Sequence, residues 1–236
     1  QEIRRLASSL VENGVQRGDA VAVYMNRSAD AVISILAILH AGAAYVPIDP
    51  AQPEERIRWM LEDSGVSVLL YADSQPPVDE SIKAVHVTGM SHHSQAELSV
   101  ETSPSQLAYI MFTSGSTGRP KGVQIEHQHI VRLACSQEKI GLKTSDRMAH
   151  TGAVSFDAIT LEIFTTLLNG ATLYPVDRDT LLDIHRFEQF IQTHQITALF
   201  LTTGLFNQLA QQRPQMFKGL KTLFTGGDVI NVKSAE

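Results

Sequence analysis

The sequence predicts an α/β fold with two parallel-type β-sheet subdomains and flanking helices. Three observations lead to it. Short β-prone runs alternate with amphipathic helical stretches, this alternation comes in two blocks, and an irregular region at 73–106 separates the blocks. A helical crossover is the usual way to join neighbouring parallel strands, so the order argues for parallel sheets. The subdomains are expected to span residues 1–104 and 105–236.

In the first block, Ile3, Leu6, Ala7, Leu10 and Val11 recur on one helical face, and Gly14 stands where a left-handed C-cap ends such a helix. "AVAVYM" (20–25) is a strand after a Gly-Asp turn. Ser28 is placed to N-cap a helix that runs to about His40. "AYVPI" and "VSVLLYA" are further strands. Between them "PEERIRWMLEDSG" opens on Pro53 with acidic residues in its first turn, which suits the helix dipole. The irregular region holds one short strand, "AVHV", and a strand "LAYIMF" follows it. The second block then reads as helices near 127–138 and 157–168, a strand "ATLYPV", a helix at 183–194, a strand "TALFLT", a helix near 204–212 and a strand "KTLFT". There is no internal repeat and no low-complexity tract.

Bulk properties narrow the function classes. The chain has 236 residues, 43% hydrophobic and 19% charged, which is ordinary globular usage. Nineteen basic against 25 acidic residues give a net charge of −6, and no Lys/Arg run builds the stripe that nucleic-acid binding requires. The apolar run "AVISILAILHAGAAYV" contains Ser34, His40 and a glycine and falls short of a membrane span, so no membrane partner is expected. Cys135 is the only cysteine, which excludes an internal disulfide and points to a reducing, cytoplasmic setting. The first residues carry neither Met nor a signal-peptide layout, and the chain is expected to be part of something longer.

The stretch "FTSGSTGRPKG" (112–122) is the densest chemical signal. It holds three glycines, four hydroxyl side chains, one proline and two cations directly after an apolar strand. Gly115, Gly118 and Gly122 are expected to let the backbone take positive φ and approach a ligand closely. Thr113, Ser114, Ser116 and Thr117 supply donors, and Lys121 adds a mobile positive charge. Such a set suits a polyphosphate. It is not a Walker loop, because Pro120 stands where that pattern needs glycine and Gly122 where it needs a hydroxyl. A flexible Gly/Ser linker is the bland alternative.

The same stretch resembles the phosphate-loop signature T-S-G-[ST]-T-G-x-P-K-G of adenylate-forming enzymes. Two others narrow the resemblance. "LHAGAAYVPIDPAQPEERI" (39–57) and "SFDAITLEIF" (155–164) are similar to signatures of nonribosomal peptide synthetase adenylation domains. The chain is identified as a member of that family, and the resemblance runs from the opening helix to "TLFTGGD". It implies the N-terminal portion of an acyl-activating enzyme, without the downstream barrel and C-terminal domain.

The resemblance also implies roles. Asp157 would pair with the α-ammonium of an amino-acid substrate; a helix N-cap is its structural alternative. Ala158, Leu161, Phe200, Phe224 and Gly226 would line the side-chain pocket, apolar enough to suit an uncharged, branched aliphatic amino acid, although core packing is the commoner fate of such residues. Gly226, Gly227 and Asp228 would lie beside the adenine. Phe156 and His150 are weaker candidates, and His150 reads as structural.

The implied reaction activates the amino acid with ATP and Mg2+, then passes the aminoacyl group to phosphopantetheine on a peptidyl carrier protein alongside other synthetase domains. The family's Y-G-P-T-E signature, which would supply the metal ligand, is not within the 236 residues. The chain alone is therefore expected to have little or no adenylation activity. Two other classes compete: an acyl-CoA or aryl-acid ligase, which has no need of Asp157, and a non-catalytic interaction module.

Overall fold

The computed structural model describes residues 1–89, 101–113, 119–136 and 140–231. The chain divides into two compact units: residues 1–131 with 154–157, and residues 132–153 with 158–236.

The first unit is built on a six-stranded sheet of order β4-β3-β1-β2-β5-β6. Its strands are β1 (Ala20–Tyr24), β2 (Ala44–Ile48), β3 (Val68–Tyr71), β4 (Lys83–His86), β5 (Leu107–Thr113) and β6 (Lys121–Glu126). The first five pair in parallel, and β5 with β6 forms an antiparallel hairpin. Every residue of β2 and four of five in β1 are buried, the continuous apolar reading of central strands in a parallel sheet. Helices α1 (Glu2–Glu12), α2 (Ala29–His40) and α3 (Glu54–Asp63) lie in this unit. The Ser28 hydroxyl accepts from the Ala31 N–H at 3.1 Å, so it caps α2 as its position implies. Gly14, at φ 94°, follows the end of α1. Ile57, Met60 and Leu61 of α3 pack with Ala22, Val46, Ile48 and Leu69 to form the core.

The sequence reading set a boundary near residue 104, whereas the compact units divide at Val131. The reason is pairing. Strand β5 joins β2 through Tyr45 and Tyr109, and β6 is hairpinned to β5, so both belong to the first sheet.

The second unit holds a four-stranded, all-parallel sheet of order β10-β9-β7-β8. Its strands are β7 (Arg147–His150), β8 (Thr172–Pro175), β9 (Ala198–Thr202) and β10 (Thr222–Gly226). Helix α4 (His127–Ala134) leads into this unit, which contains α5 (Ala158–Thr160), α6 (Arg178–Leu182), α7 (Ile184–Thr193) and α8 (Thr203–Gln212). Phe187 and Ile191 of α7 pack with Leu199, Leu201, Phe206 and Leu209 in its main core. Asp183 accepts from the N–H groups of His185 and Arg186 and starts α7 where the sequence places it.

Three elements differ from the sequence reading. Strand β6 has no counterpart in the sequence reading, which goes from the 112–122 loop to a helix near 127; its polar "KGVQIE" run is exposed along Lys121 to Gln124, a charged edge strand set by its hairpin partner. Strand β7, "RMAH", was not expected, because its composition carries no β signal. It forms because Met148 pairs with both Leu173 and Ala198, between two neighbours. The helix expected over 157–168 begins as α5 and continues as a π-helix, Leu161–Thr165; the hydroxyls of Thr165 and of Thr166, which follows it, donate to the carbonyls of Leu161 and Glu162.

Candidate functional site

Candidate residues fall in both units. In the first, the β5–β6 register sets Thr113 opposite Lys121 and Phe112 opposite Gly122. The pairing brings one hydroxyl and one cation to the same end of the hairpin. Ser114, Gly115, Ser116, Thr117 and Gly118 lie outside the described residues. The reason given for Gly122 is corrected by the structure: its φ is not positive. A Cβ there would stand 2.9 Å from Ile110 Cγ2 and 3.3 Å from Phe112 Cε1, so the position is held to glycine by packing. Asp157 is exposed on the turn immediately before α5, and its neighbour Phe156 is 47% exposed.

In the second unit, Leu161, Phe200 and Phe224 pack against one apolar cluster of Ile140, Leu142, Met148 and Ala198. Phe224 is the register partner of Phe200 on adjacent strands. Gly226 follows at the carboxyl end of β10, where a Cβ would lie 4.0 Å from Phe200 Cε2. Ala158 is buried at the start of α5. Phe200 and Phe224 lie mid-strand, and of the expected pocket residues only Gly226 stands at a carboxyl strand end, the edge where open parallel sheets bind ligands. Gly227 has φ 98° with open space around its α-carbon, a conformation few other residues adopt. The turn it makes is held by Thr203, whose hydroxyl reaches the carbonyls of Gly226 at 3.1 Å and Asp228 at 3.0 Å.

Two carboxylates anchor opposite ends of β7. At the amino end, Asp146 accepts from Lys221 Nζ at 2.7 Å, from the Thr197 hydroxyl at 2.9 Å and from the Lys143 N–H at 2.9 Å. Burial pushes its pKa up, but the Lys221 ammonium, the Lys143 N–H and the Thr197 hydroxyl together hold it below the usual carboxylate range. At the carboxyl end stands Glu162, whose side chain is fully buried. Its carboxylate accepts from His150 Nδ1 at 2.5 Å, from the Thr151 N–H at 2.9 Å and from the Gly152 N–H at 3.1 Å.

Sequence reasoning passed over Glu162. A signal was present: one acidic residue between Leu161 and Ile163 in an apolar helical run has to be paired if it is buried. His150, read as structural, is its partner.

No group of three or more His, Cys, Asp or Glu side chains among the described residues is placed to hold a metal ion, so none is assigned here. No described helix is long and apolar enough to cross a membrane.

Comparison with known proteins bears on what this arrangement serves. The family model described as AMP-binding enzyme matches residues 1–236. The chain belongs to the AMP-binding enzyme family. It is 48% identical over 230 residues to surfactin synthase subunit 2 of Bacillus subtilis and 42% identical over 236 residues to tyrocidine synthase 3 of Brevibacillus parabrevis. Those alignments cover 96% and 99% of this chain but 6% and 4% of the relatives, so it spans a small part of either. Among solved structures, the Klebsiella oxytoca NpsA N-terminal subdomain in complex with 3-hydroxybenzoyl-AMSN superposes with a TM-score of 0.88 at 29% identity, covering 99% of this chain and 60% of that one. The α/β architecture with two mostly parallel sheets is that of these subdomains.

Proposed function

We propose that this member of the AMP-binding family activates an uncharged, apolar amino acid as its aminoacyl-adenylate. The observation that carries the reading is the packing of Leu161, Phe200 and Phe224 on one cluster, with Gly226 beside Phe200; of these, Leu161 belongs to the helical segment that follows Asp157 in the sequence. In this reading Asp157 accepts a hydrogen bond from the substrate ammonium, and Leu161, Phe200 and Phe224 with Ala158 select its side chain. Two phenyl rings among the selecting residues favour a branched aliphatic substrate side chain over a third ring.

Thr113 and Lys121 suit the phosphates of ATP in chemistry, a hydroxyl donor and a cation at one hairpin end. The substrate carboxylate oxygen attacks the α-phosphorus, the bond to the β-phosphate oxygen breaks, and pyrophosphate departs with its electron pair. Lys121 offsets charge on that leaving group, while Thr113 with the residues 114–118 orients it. Gly227 and Asp228 lie beside the adenine. Mg2+, when bound, supplies further charge neutralisation. The activated acyl group then passes to a carrier protein's phosphopantetheine thiol; a solved NpsA-ThdA structure described as an artificially fused Adenylation-PCP di-domain NRPS supports that partner.

A second reading, activation of an aryl acid, draws on the NpsA complexes with 3-hydroxybenzoyl-AMSN and anthranilyl-AMSN. One experiment separates the two: exchange of labelled pyrophosphate into ATP by the protein carrying this chain, with each standard amino acid and with 3-hydroxybenzoate. Exchange stimulated by Leu, Ile or Val supports the first reading. Stimulation by the aryl acid alone replaces it with the second.

A further inference from the structure

The buried carboxylate of Glu162 is not used by the chemistry above, and its surroundings are too complete for a chance core residue. Glu162 and its partner His150 both have fully buried side chains. One Glu162 oxygen takes the His150 ring at 2.5 Å, and the other takes the Thr151 N–H at 2.9 Å and lies 3.1 Å from the Thr151 hydroxyl. The Gly152 N–H lies 3.1 Å from both oxygens. Two successive backbone N–H groups aimed at one anion form a nest. The space is filled: a Cβ on Gly152 would stand 2.9 Å from Glu162 Oε2.

What this network joins is informative. Residues 150–152 end β7 and enter the next turn, whereas Glu162 lies one residue beyond Leu161 in the π-helix. The Thr151 hydroxyl also reaches the Phe200 carbonyl at 2.5 Å. With a single proton to donate, it favours that shorter contact. Leu161 and Phe200, which sit on one apolar cluster, are therefore tied through a common polar anchor. The π-helix adds a register constraint, since its wider turn directs Leu161 and Glu162 differently from an α-helix of the same sequence. His150 turns Nδ1 to the carboxylate, and its Nε2 is buried with no hydrogen-bond partner among the described residues.

We propose that Glu162 is a positioning residue for substrate selection. It fixes the π-helix against the end of β7, so that Leu161 and Phe200 hold the spacing that decides which side chain is accepted. It touches neither substrate nor reacting atoms. The inference rests on the amino-acid-activating reading and refines it. Length is what matters in such a device: shortening the side chain by one methylene pulls the carboxylate off the nest or drags the π-helix with it, whereas neutralising it at constant length keeps an acceptor for the N–H groups. Displacements of about 1 Å at a reacting or selecting group cost up to about 100-fold.

The test compares Glu162→Asp and Glu162→Gln in the protein carrying this chain, measuring KM for the preferred amino acid, KM for ATP, and the kcat/KM ratio between preferred and next-best amino acids. Glu162→Asp is expected to raise the amino-acid KM at least tenfold and compress the selectivity ratio, with ATP KM within twofold of the parent. Glu162→Gln is expected to stay within about threefold on every quantity. Thr151→Val, nearly isosteric, provides a second probe if Glu162→Asp does not fold; it should shift the amino-acid KM alone, by a smaller factor. Equal rises in both KM values, unchanged selectivity in Glu162→Asp and Thr151→Val, or a Gln variant as impaired as the Asp variant would overturn the proposal. An unsubstituted protein that no amino acid stimulates would instead overturn the reading on which it rests.

Discussion

The two sheets bury different kinds of residue. Among the described residues, the polar side chains buried in the first unit are the serines Ser8, Ser9 and Ser34 and the tyrosines Tyr24, Tyr45 and Tyr109, none of them charged. The second unit buries Asp146, His150 and Glu162 together with Thr151, Thr160, Thr165, Thr166, Thr180 and Thr203. Its sheet is also smaller, with four strands against six. The first sheet is held by apolar packing on central strands, β1 and β2, that are buried almost throughout. The second combines packing with charged and hydroxyl groups at both ends of β7, an arrangement that rigidifies only when every partner is present. Unequal use of polar groups marks the unit whose geometry has to be held most closely, and it is the unit that contains the selecting residues of the proposed function.

Substitutions can break this contrast. The largest effects should come from paired truncations followed by urea unfolding. Phe187→Ala in the second core, fully buried, is expected to cost about 3–5 kcal/mol. Glu162→Ala should match it at about 3–5 kcal/mol, because it leaves His150 and two N–H groups buried without their acceptor. In the first unit only apolar truncation should reach that range: Ile48→Ala is expected to cost about 2–5 kcal/mol and Ser34→Ala about 1 kcal/mol or less. A Glu162→Ala loss as small as that of Ser34→Ala would erase the distinction.

Asp146 sharpens the contrast through pH. Its pKa is lower in the folded protein than in an unfolded chain, where aspartate titrates near about 3.9. The stability it contributes is therefore fully present above that value and is lost as pH falls through the lower folded value. Asp146→Asn is expected to cost about 1–3 kcal/mol at neutral pH and to flatten the acid limb of the stability curve, read by thermal unfolding between about pH 6 and pH 2. Gly122→Ala in the first unit should cost about 1–3 kcal/mol, because the added Cβ would stand 2.9 Å from the Ile110 branch methyl and 3.3 Å from Phe112 Cε1, both on buried side chains.

Much of the architecture was legible in the sequence for physical reasons. Buried parallel strands such as "AYVPI" and capped helices such as the one after Ser28 write their signals locally. The strands that escaped, β6 and β7, are formed by their neighbours: a polar edge follows its hairpin partner, and "RMAH" becomes a strand because it lies between β8 and β9. The candidate residues Leu161, Phe200 and Phe224 were named from the resemblance; periodicity alone does not distinguish a selecting phenylalanine from a core one. Glu162 escaped because its meaning lies in His150 and two backbone N–H groups ten to twelve residues away.

In the proposed function, Asp157 recognises the substrate amine. This recognition is tested most directly by comparing, in the protein carrying this chain, pyrophosphate exchange stimulated by the preferred amino acid with that stimulated by the same acid lacking its amino group, before and after Asp157→Ala. The account predicts that the unsubstituted protein favours the amino acid by about tenfold to 100-fold, an ion-pair-sized preference, and that the substitution collapses the ratio toward unity. A preference that survives Asp157→Ala unchanged would contradict it.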